Sequence, residues 1–311
     1  MSSRTAKLLG CLLIGGVLTS AAQQRPIQSL YMFDPLLVNP AYAGSQVQLS
    51  ATAIYRNQWV NLEGAPKTLT TSIHSGFKKS RVGVGVLISK DVIGIHDDTG
   101  LYGIYSYKLP ISTRRKSVLS FGLQGGFNTI TSDYNKLTLK SVTDPNLAGV
   151  DRKFIPNVGV GLFYRESNFY GGISVPYLLD NKIVALNDVN SLAKQRRYYY
   201  VFAGFSTKLS NNVKLIPSTL VRIQEQAPVS LDLNTTFVLY DVVGLGVSYR
   251  MGDAVVGLFE LQINQNFHVG YAYDFTTSQL NQFSNGSHEL MINYRVKITR
   301  IHRGLECPTY W

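Results

Sequence analysis

Cysteine, charge and long apolar runs are all scarce in this sequence of 311 residues. Cys11 lies in an N-terminal segment that is predicted to be removed, so Cys307 alone remains and an intrachain disulfide is excluded. Charged residues make up 16% of the chain, against about a quarter in a typical domain. No stretch after Ala22 approaches the roughly 20 apolar residues that a membrane helix needs. If the chain enters a membrane, it must therefore do so as strands.

Residues 1–22 have the three parts of a secretory signal peptide. Arg4 and Lys7 supply positive charge, residues 8–18 form a short apolar run, and a row of small residues ends at Ala22. An apolar run of this length is too short to span a bilayer. We predict that residues 1–22 are removed on export, and for an exported chain we expect no nucleic-acid partner.

Apolar and polar residues alternate with a period of two through most of the remaining chain. Leu49, Ala51 and Tyr55, for example, share one face of a strand, and Ser50 and Arg56 share the other. Most of these runs are 9–11 residues long, the length that a tilted strand needs to cross a bilayer. The predicted strands are 46–56, 67–77, 82–90, 100–109, 117–130, 157–165, 168–176, 197–207, 213–223, 229–240, 243–250, 254–262, 267–275 and 288–299. The predicted fold is all-β, a transmembrane antiparallel up-and-down β-barrel of about 14 strands within residues 45–299.

The connections between these strands differ in length on the two sides of the predicted barrel. Even-numbered connections are short, and the odd-numbered ones include the long segments 57–66, 131–156, 177–196 and 276–287. Outer-membrane barrels have short periplasmic turns and long outer loops. We therefore expect a bacterial outer-membrane location with both termini, including a basic tail at 300–311, in the periplasm. A soluble β-sandwich, propeller or jelly roll is the competing interpretation, because its strands alternate too.

If the apolar face of each strand meets lipid, the polar face lines the barrel interior. A single Arg or Lys on the lipid face costs ~2–4 kcal/mol at mid-bilayer, so the charged strand residues should face inward. They could form an ion-pair network or line a simply wet interior, and the sequence favours neither. The inward charged residues are predicted to be Arg56, Lys108, Arg165, Arg222, Arg250, Arg295, Asp232, Glu260, Asp274 and Glu289.

Residues 23–44 do not fit the strand pattern. Pro35 and Pro40 forbid a regular helix or central strand there, Asn39 before Pro40 favours a tight turn, and Gly44 can take a positive φ. We predict an ordered non-barrel segment that fills the lumen as a plug or lies on the periplasmic rim. Alternatively, glycines on the inner faces only relieve crowding. The glycines that would leave room for a plug are Gly83, Gly85, Gly122, Gly126, Gly159, Gly161, Gly244 and Gly246.

The chain shows no pattern of a catalytic, cofactor or metal site. Its five histidines lack metal-ligand spacing. Ser287 and His288 are adjacent on a predicted strand and so point to opposite faces, which excludes a triad made by them alone. His96, Asp97 and Asp98 are predicted to lie in a loop, where a solvated role is favoured over weak binding of a divalent ion.

Three motifs resemble the PorP/SprF family of the Bacteroidota. They are Tyr31-Met32-Phe33-Asp34-Pro35 with Asn39-Pro40-Ala41-Tyr42-Ala43-Gly44, then Tyr55-Arg56-Asn57-Gln58-Trp59, and near the end Ser287-His288-Glu289. The resemblance covers the whole mature chain, and Asp34 stands where asparagine is common in the family.

The resemblance implies a non-enzymatic outer-membrane barrel of the type IX secretion and gliding-motility apparatus, without a cofactor. The implied partners are periplasmic components of that system, a secreted surface protein with a type B C-terminal sorting domain, and outer-membrane lipid. The competing functions are a diffusion channel for small solutes and a lipid-modifying enzyme. The candidate partner or plug motif consists of Tyr31, Met32, Phe33, Pro35, Asn39, Pro40, Tyr42 and Gly44, and the candidate interior or interface residues are Arg56, Trp59 and Glu289.

Overall fold

The computed structural model describes residues 28–46, 48–77, 81–136, 149–182, 194–195, 197–225 and 227–296. Its main element is a single antiparallel sheet in which Tyr198–Phe205 and Thr207–Ser210 together form one strand, β8, interrupted at Ser206. The other strands are β1 (Leu49–Asn57), β2 (Lys67–Gly76), β3 (Val82–Ile93), β4 (His96–Ser112), β5 (Ser117–Asp133), β6 (Val150–Arg165), β7 (Phe169–Val175), β9 (Val213–Gln224), β10 (Ser230–Leu239), β11 (Val243–Arg250), β12 (Ala254–Gln262), β13 (Phe267–Thr276) and β14 (Ser287–Val296).

The sheet closes on itself. Each strand pairs with its neighbours along the chain, and β1 pairs with β14, so that Leu49 lies opposite Val296 and Arg56 opposite Glu289. Closure removes the free edge, whose amide groups would each cost several kcal/mol in hydrocarbon. The prediction of an up-and-down barrel of about 14 strands is confirmed.

Several strands run further than the sequence pattern indicates. β6 starts at Val150 instead of residue 157, and β3 and β4 continue to Ile93 and His96, leaving a two-residue turn between them. His96, Asp97 and Asp98 thus begin β4, and the prediction of a loop there is wrong. The β4 extension, residues 96–99, has no apolar residue on either face, so it shows no alternation.

The two faces of the barrel differ as expected. Outward side chains such as Leu123 and Val247 are more than half exposed, at 55% and 59%, and form the apolar surface that lipid covers. Inward positions carry most of the polar and charged strand residues, together with buried apolar residues such as Phe163 and Leu258. Nine of the ten charged residues assigned to the interior are at most 7% exposed, and Lys108 is half-buried. The assignment of the faces is confirmed.

The two ends of the barrel also differ. We call the end with the connections after the even-numbered strands the short-turn end, and the opposite one the long-loop end. The long-loop end carries 3-10 turns at Tyr134–Lys136 and Gln279–Gln282 and a two-stranded ladder of Asn181–Lys182 with Lys194–Gln195. In the part of the chain that is described, no helix has the length and apolar character needed to cross a membrane.

Candidate functional site

The most unusual feature of the barrel is the chain that lies inside it. Residues 28–46, which we call the lumen segment, are all buried except Leu37 and Gln46. They form two 3-10 turns, Pro35–Leu37 and Pro40–Tyr42. Asn39 caps the second turn, because its Oδ1 accepts a hydrogen bond from the Ala41 N–H at 2.9 Å and proline suits the first position of such a turn.

The lumen segment runs along the barrel from the long-loop half to the short-turn end. Ser29 contacts Asp274 near the long-loop end of β13, and Gly44 contacts Lys108 near the short-turn end of β4. Of the two expected positions, lumen or rim, the structure has the lumen. Gln28, the first described residue, therefore lies in the long-loop half. Both termini are predicted at the opposite end, where the short turns are. Residues 23–27 and the tail 300–311 lie outside the described residues.

A cluster of buried ions fixes the start of the lumen segment. Glu289 accepts hydrogen bonds from the N–H groups of Ser29 at 2.7 Å and Leu30 at 3.0 Å. Arg56 reaches Glu289 at 2.8 Å and Asp274 at 2.6 Å. These side chains are almost fully shielded from solvent, and buried charges are tolerated only when paired and hydrogen-bonded. Glu289 therefore binds both Arg56 of the barrel wall and the backbone of the segment.

A second arginine extends this cluster. Arg250 lies 3.1 Å from Asp232 and 3.4 Å from Asp274. The hydroxyl of Ser29 donates to Asp274 at 2.8 Å and accepts from Arg250 at 3.2 Å. We call Arg56, Asp232, Arg250, Asp274 and Glu289 the charged clamp. The sequence left open an ion-pair network and a simply wet interior. For these five of the ten inward charged residues, the ion-pair network is confirmed.

Glycines of the wall accommodate the other half of the lumen segment. A Cβ on Gly122 would overlap the backbone of Ala41, and a Cβ on Gly83 would overlap the carbonyl of Ala43. Lys108 Nζ donates to the Gly44 carbonyl at 2.7 Å, and Gly44 itself has φ +64°. Gly83 and Gly122 make room for the segment, as predicted. A Cβ would first meet other parts of the chain at three of the predicted positions, Gly126, Gly159 and Gly246.

Aromatic and aliphatic side chains pack the segment between these two ends. The ring of Tyr42 meets those of Phe163 and His74 edge-on, with centroids 5.5 Å apart in each case. Asn234 donates to the Tyr31 hydroxyl oxygen at 2.6 Å, and Met32 is 2% exposed. Burial of each large apolar side chain contributes about 1.5–3 kcal/mol, so the segment is held by packing as well as by polar contacts.

Asp34 is a buried carboxylate that the sequence marks only as a departure from the family pattern. It belongs to the lumen segment and to no membrane-spanning strand. Ser72 donates to its Oδ2, and the Leu36 N–H donates to its Oδ1 at 3.3 Å. Burial raises the pKa of Asp34, while these hydrogen bonds act in the opposite direction.

The structure brings most of the sequence-derived candidates together and leaves one apart. All eight motif residues are buried in the lumen. Arg56 and Glu289 contact the residues just before the motif, Ser29 and Leu30. Trp59 instead lies beyond β1 at the long-loop end and is half-buried, and its backbone N–H donates to Ser287 Oγ at 3.1 Å. Among the described side chains, no group of three or more His, Cys, Asp or Glu is placed to hold a metal ion. Sequence reasoning missed Ser29, which lies in no strand and no turn motif.

Comparison with solved structures shows similarity to outer-membrane barrels. The chain is similar to the CymD monoaromatic hydrocarbon channel, with 13% identity, coverage of 89% of this chain and 94% of that one, and a TM-score of 0.53. It is also similar to the toluene transporter TbuX of Ralstonia pickettii, with 10% identity, 89% and 94% coverage and a TM-score of 0.48. A third similar structure is Omp33 of Acinetobacter baumannii, with 11% identity, coverage of 80% of this chain and 99% of that one, and a TM-score of 0.46. At these identities the CymD likeness supports the fold alone.

Comparison with protein families gives a more specific result. No curated protein matches the chain. The family described as type IX secretion system membrane protein PorP/SprF matches residues 20–294, which include the lumen segment and nearly all of the barrel. Together with the barrel fold, this match supports an outer-membrane location and a structural or transport role. The chain belongs to the PorP/SprF family of type IX secretion system membrane proteins.

Proposed function

We propose that this chain is a non-enzymatic outer-membrane component of the type IX secretion system. It aids the secretion or surface anchoring of partner proteins through protein–protein contacts. The observation that carries the proposal is the buried lumen segment, because it replaces a water-filled path with packed, hydrogen-bonded chain. Such a barrel is suited to holding partners at its ends.

We assign the long-loop end to the cell surface and the short-turn end to the periplasm. Short periplasmic turns are the rule in outer-membrane barrels, and the connections of this barrel differ in that way. Periplasmic components of the secretion system then bind at the short-turn end, and a secreted protein with a type B sorting domain binds at the long-loop end. The lumen segment reaches both halves, since it contacts the charged clamp and Lys108.

A diffusion channel for small solutes is the competing function, and CymD is described as a channel. The lumen segment argues against an open pore in the resting protein. Its contacts reach Ser72 on β2, Ser174 on β7, Asn234 on β10 and Glu289 on β14, which are spread around the wall. We therefore expect the intact chain to be nearly silent in planar bilayers. Steady conductance of the purified wild-type chain would favour the channel instead.

Affinity purification from outer membranes tests the secretion role. With the tagged wild-type chain, we expect recovery of secretion-system components and of a secreted surface protein. Deletion of Met32–Tyr42 should leave a heat-modifiable barrel in the membrane but abolish that recovery. Undiminished recovery with the deleted chain would refute the role of the segment, and recovery of no secretion component with the wild type would refute the proposed function.

A single substitution tests the same role of the segment in case the chain with the deletion misfolds. Gly161 faces the lumen, where a Cβ would overlap the Asn39 side chain, whereas only the Gly125 carbonyl, at 3.9 Å, would lie within 4 Å of a Cβ on Gly103. Gly103 faces outward. We expect Gly161→Leu to reduce partner recovery and Gly103→Leu to leave it unchanged. Equal recovery from both variants would contradict the role assigned to the segment.

A further inference from the structure

At the long-loop end, β6 extends further than the strand that follows it. β6 has 16 residues and β7 only seven, and the two strands pair from Val160 to Arg165. Just after β7, at Pro176, the chain turns into the lumen. A Cβ on Gly159 would overlap the Pro176 backbone there, and Gln124 Nε2 donates to the Pro176 carbonyl at 2.8 Å. The first residues of β6 therefore have no neighbouring strand on that side within the described chain.

A few contacts continue along this side of β6 and then stop. The Leu178 N–H donates to the Val158 carbonyl at 2.8 Å, and Asn181 Nδ2 donates to the Pro156 carbonyl at 2.9 Å. Residues 150–155 pair with β5, and no hydrogen bond on their other side is found in the part of the chain that the structure describes. The barrel wall thus ends in a free strand edge at this point.

The register shows which backbone groups point to the free side. The Tyr134 N–H donates to the Gly149 carbonyl, so Gly149 is directed towards β5. Alternate residues of an antiparallel strand direct their backbone groups to the same side. Val150, Arg152 and Phe154 are therefore directed away from β5, as Val158 is. We call residues 150–154 the open edge of β6, which presents the N–H and carbonyl groups of these three residues.

The open edge lies above the bilayer. A tilted strand crosses the hydrocarbon with about 9–11 residues, and counted from Arg165 at the short-turn end these are used up near Ile155. Unpaired backbone groups cost several kcal/mol each in hydrocarbon, which agrees with a position in water. The outward side chains of Val150 and Phe154 are 54% and 66% exposed. A free edge in water is a template to which an extended chain can add as a further strand.

We propose that an extended segment of the secreted partner adds to the open edge of β6 as a further strand. The inference rests on the proposed function, because that function places a secreted protein at the long-loop end. On the outer face, Arg152 lies between Val150 and Phe154. Opposite charges across neighbouring strands attract and like charges repel. The added strand should therefore carry an acidic side chain opposite Arg152, with apolar side chains two residues before and after it. A second copy of this chain fits less well, because pairing in register would bring two Arg152 side chains together.

Amide hydrogen exchange of the purified chain in detergent micelles tests the open edge. The N–H groups of Arg152 and Phe154 should exchange at least about tenfold faster than those of Lys153 and Ile155, which are directed towards β5. Equally slow exchange of all four N–H groups would show that the edge is already paired and would overturn the proposal.

A designed peptide tests the chemistry of the added strand. The probe is N-acetyl-Val-Thr-Glu-Thr-Leu-amide at millimolar concentration, and its control has lysine in place of glutamate. We expect the glutamate peptide to slow exchange at Arg152 and Phe154 and to bind up to about fivefold more tightly than the lysine peptide. Equal binding of the two peptides, or protection by neither, would contradict the proposed recognition.

Position 152 provides a matched pair of variants for cells. Arg152→Pro removes an N–H that is directed away from β5, and proline is tolerated at sheet edges, so the barrel should remain heat-modifiable. Arg152→Ala removes only the side-chain charge. We expect recovery of the secreted surface protein to fall at least about tenfold with the proline variant and at most about fivefold with the alanine variant. Both variants should keep their periplasmic partners.

The outcomes separate this inference from the proposed function. If the Arg152→Pro chain keeps the secreted protein at the wild-type level, the open edge is not its binding site and the proposed function stands. If the wild-type chain recovers no secretion component, the proposed function fails, whatever the exchange rates show. A dimer of the purified wild-type chain that Arg152→Pro separates would assign the edge to a second copy and overturn the proposal.

Discussion

The two halves of the lumen segment are held in different ways. At the long-loop half, Ser29 and Leu30 are bound by full charges, above all by Glu289. At the short-turn half, Ala41 and Ala43 lie against wall positions that have no side chain at all. The first arrangement depends on long-range attraction between a few groups, and the second depends on the shape of the backbone.

The difference indicates what each half contributes. Burying an ion pair costs about as much solvation as the pair regains in attraction, so the charged clamp adds little net stability but penalises any arrangement that separates its charges. It thereby fixes the position of the segment. The close contact at Gly122 excludes any larger residue, because nothing flexible can move aside there. Charge sets the position at the start of the segment, whereas in the short-turn half the shape of the wall sets it, together with one hydrogen bond from Lys108 to the Gly44 carbonyl.

The largest effect is expected from a side chain placed at the close contact. Gly122→Val should displace the second 3-10 turn, because its Cβ would overlap the backbone of Ala41. Valine favours strands, so the barrel itself should still form. We expect destabilisation of the lumen segment by roughly 4–5 kcal/mol or more, seen as rapid proteolysis of that segment and as new conductance in planar bilayers.

Gly125 on the same strand is the control. It faces outward, and a Cβ added there would have no neighbouring atom within 4 Å. Gly125→Val should therefore leave both proteolysis and conductance at wild-type values. If the two valine variants behave alike, the shape-based account of the short-turn half is wrong.

A smaller effect is expected at the charged clamp. Arg56→Ala removes a cation from between Asp274 and Glu289, and breaking one partner of a buried pair costs about 3–5 kcal/mol. The free energy of unfolding in urea and detergent measures this loss. Lys90→Ala breaks an exposed pair with Asp97 and should cost at most about 1 kcal/mol. A loss at Arg56 no greater than that at Lys90 would remove the distinction between the two halves.

The sequence predicts which strand residues face the lumen better than it predicts the path of the lumen segment. A period of two, combined with the cost of charge in lipid, places Arg56, Asp274 and Glu289 on the inner face. The same period distinguishes the inward Gly122 from the outward Gly125. It does not reveal that Ala41 meets Gly122, because that contact depends on the path of a segment without regular structure. For the same reason Ser29 carries no signal in the sequence.

The smallest effect is expected at Asp34, in the middle of the lumen segment. Burial raises the pKa of its carboxyl group, so the folded chain binds a proton more readily than the unfolded chain does. Stability should then fall as the pH rises from about 4 through the raised pKa of the folded state. Asp34→Asn keeps an acceptor for the Leu36 N–H and removes the ionisation.

We expect this variant to lie within about 1 kcal/mol of the wild type and to lack the fall in stability over that pH range. Unfolding in urea at a series of pH values measures both. If the variant keeps the same pH dependence, a group other than Asp34 causes that dependence. If the variant is much less stable than the wild type, the charge of Asp34 is needed. In that case the middle of the segment, like its start, would be positioned by charge, and the division into two halves would have to be drawn nearer to Ala41.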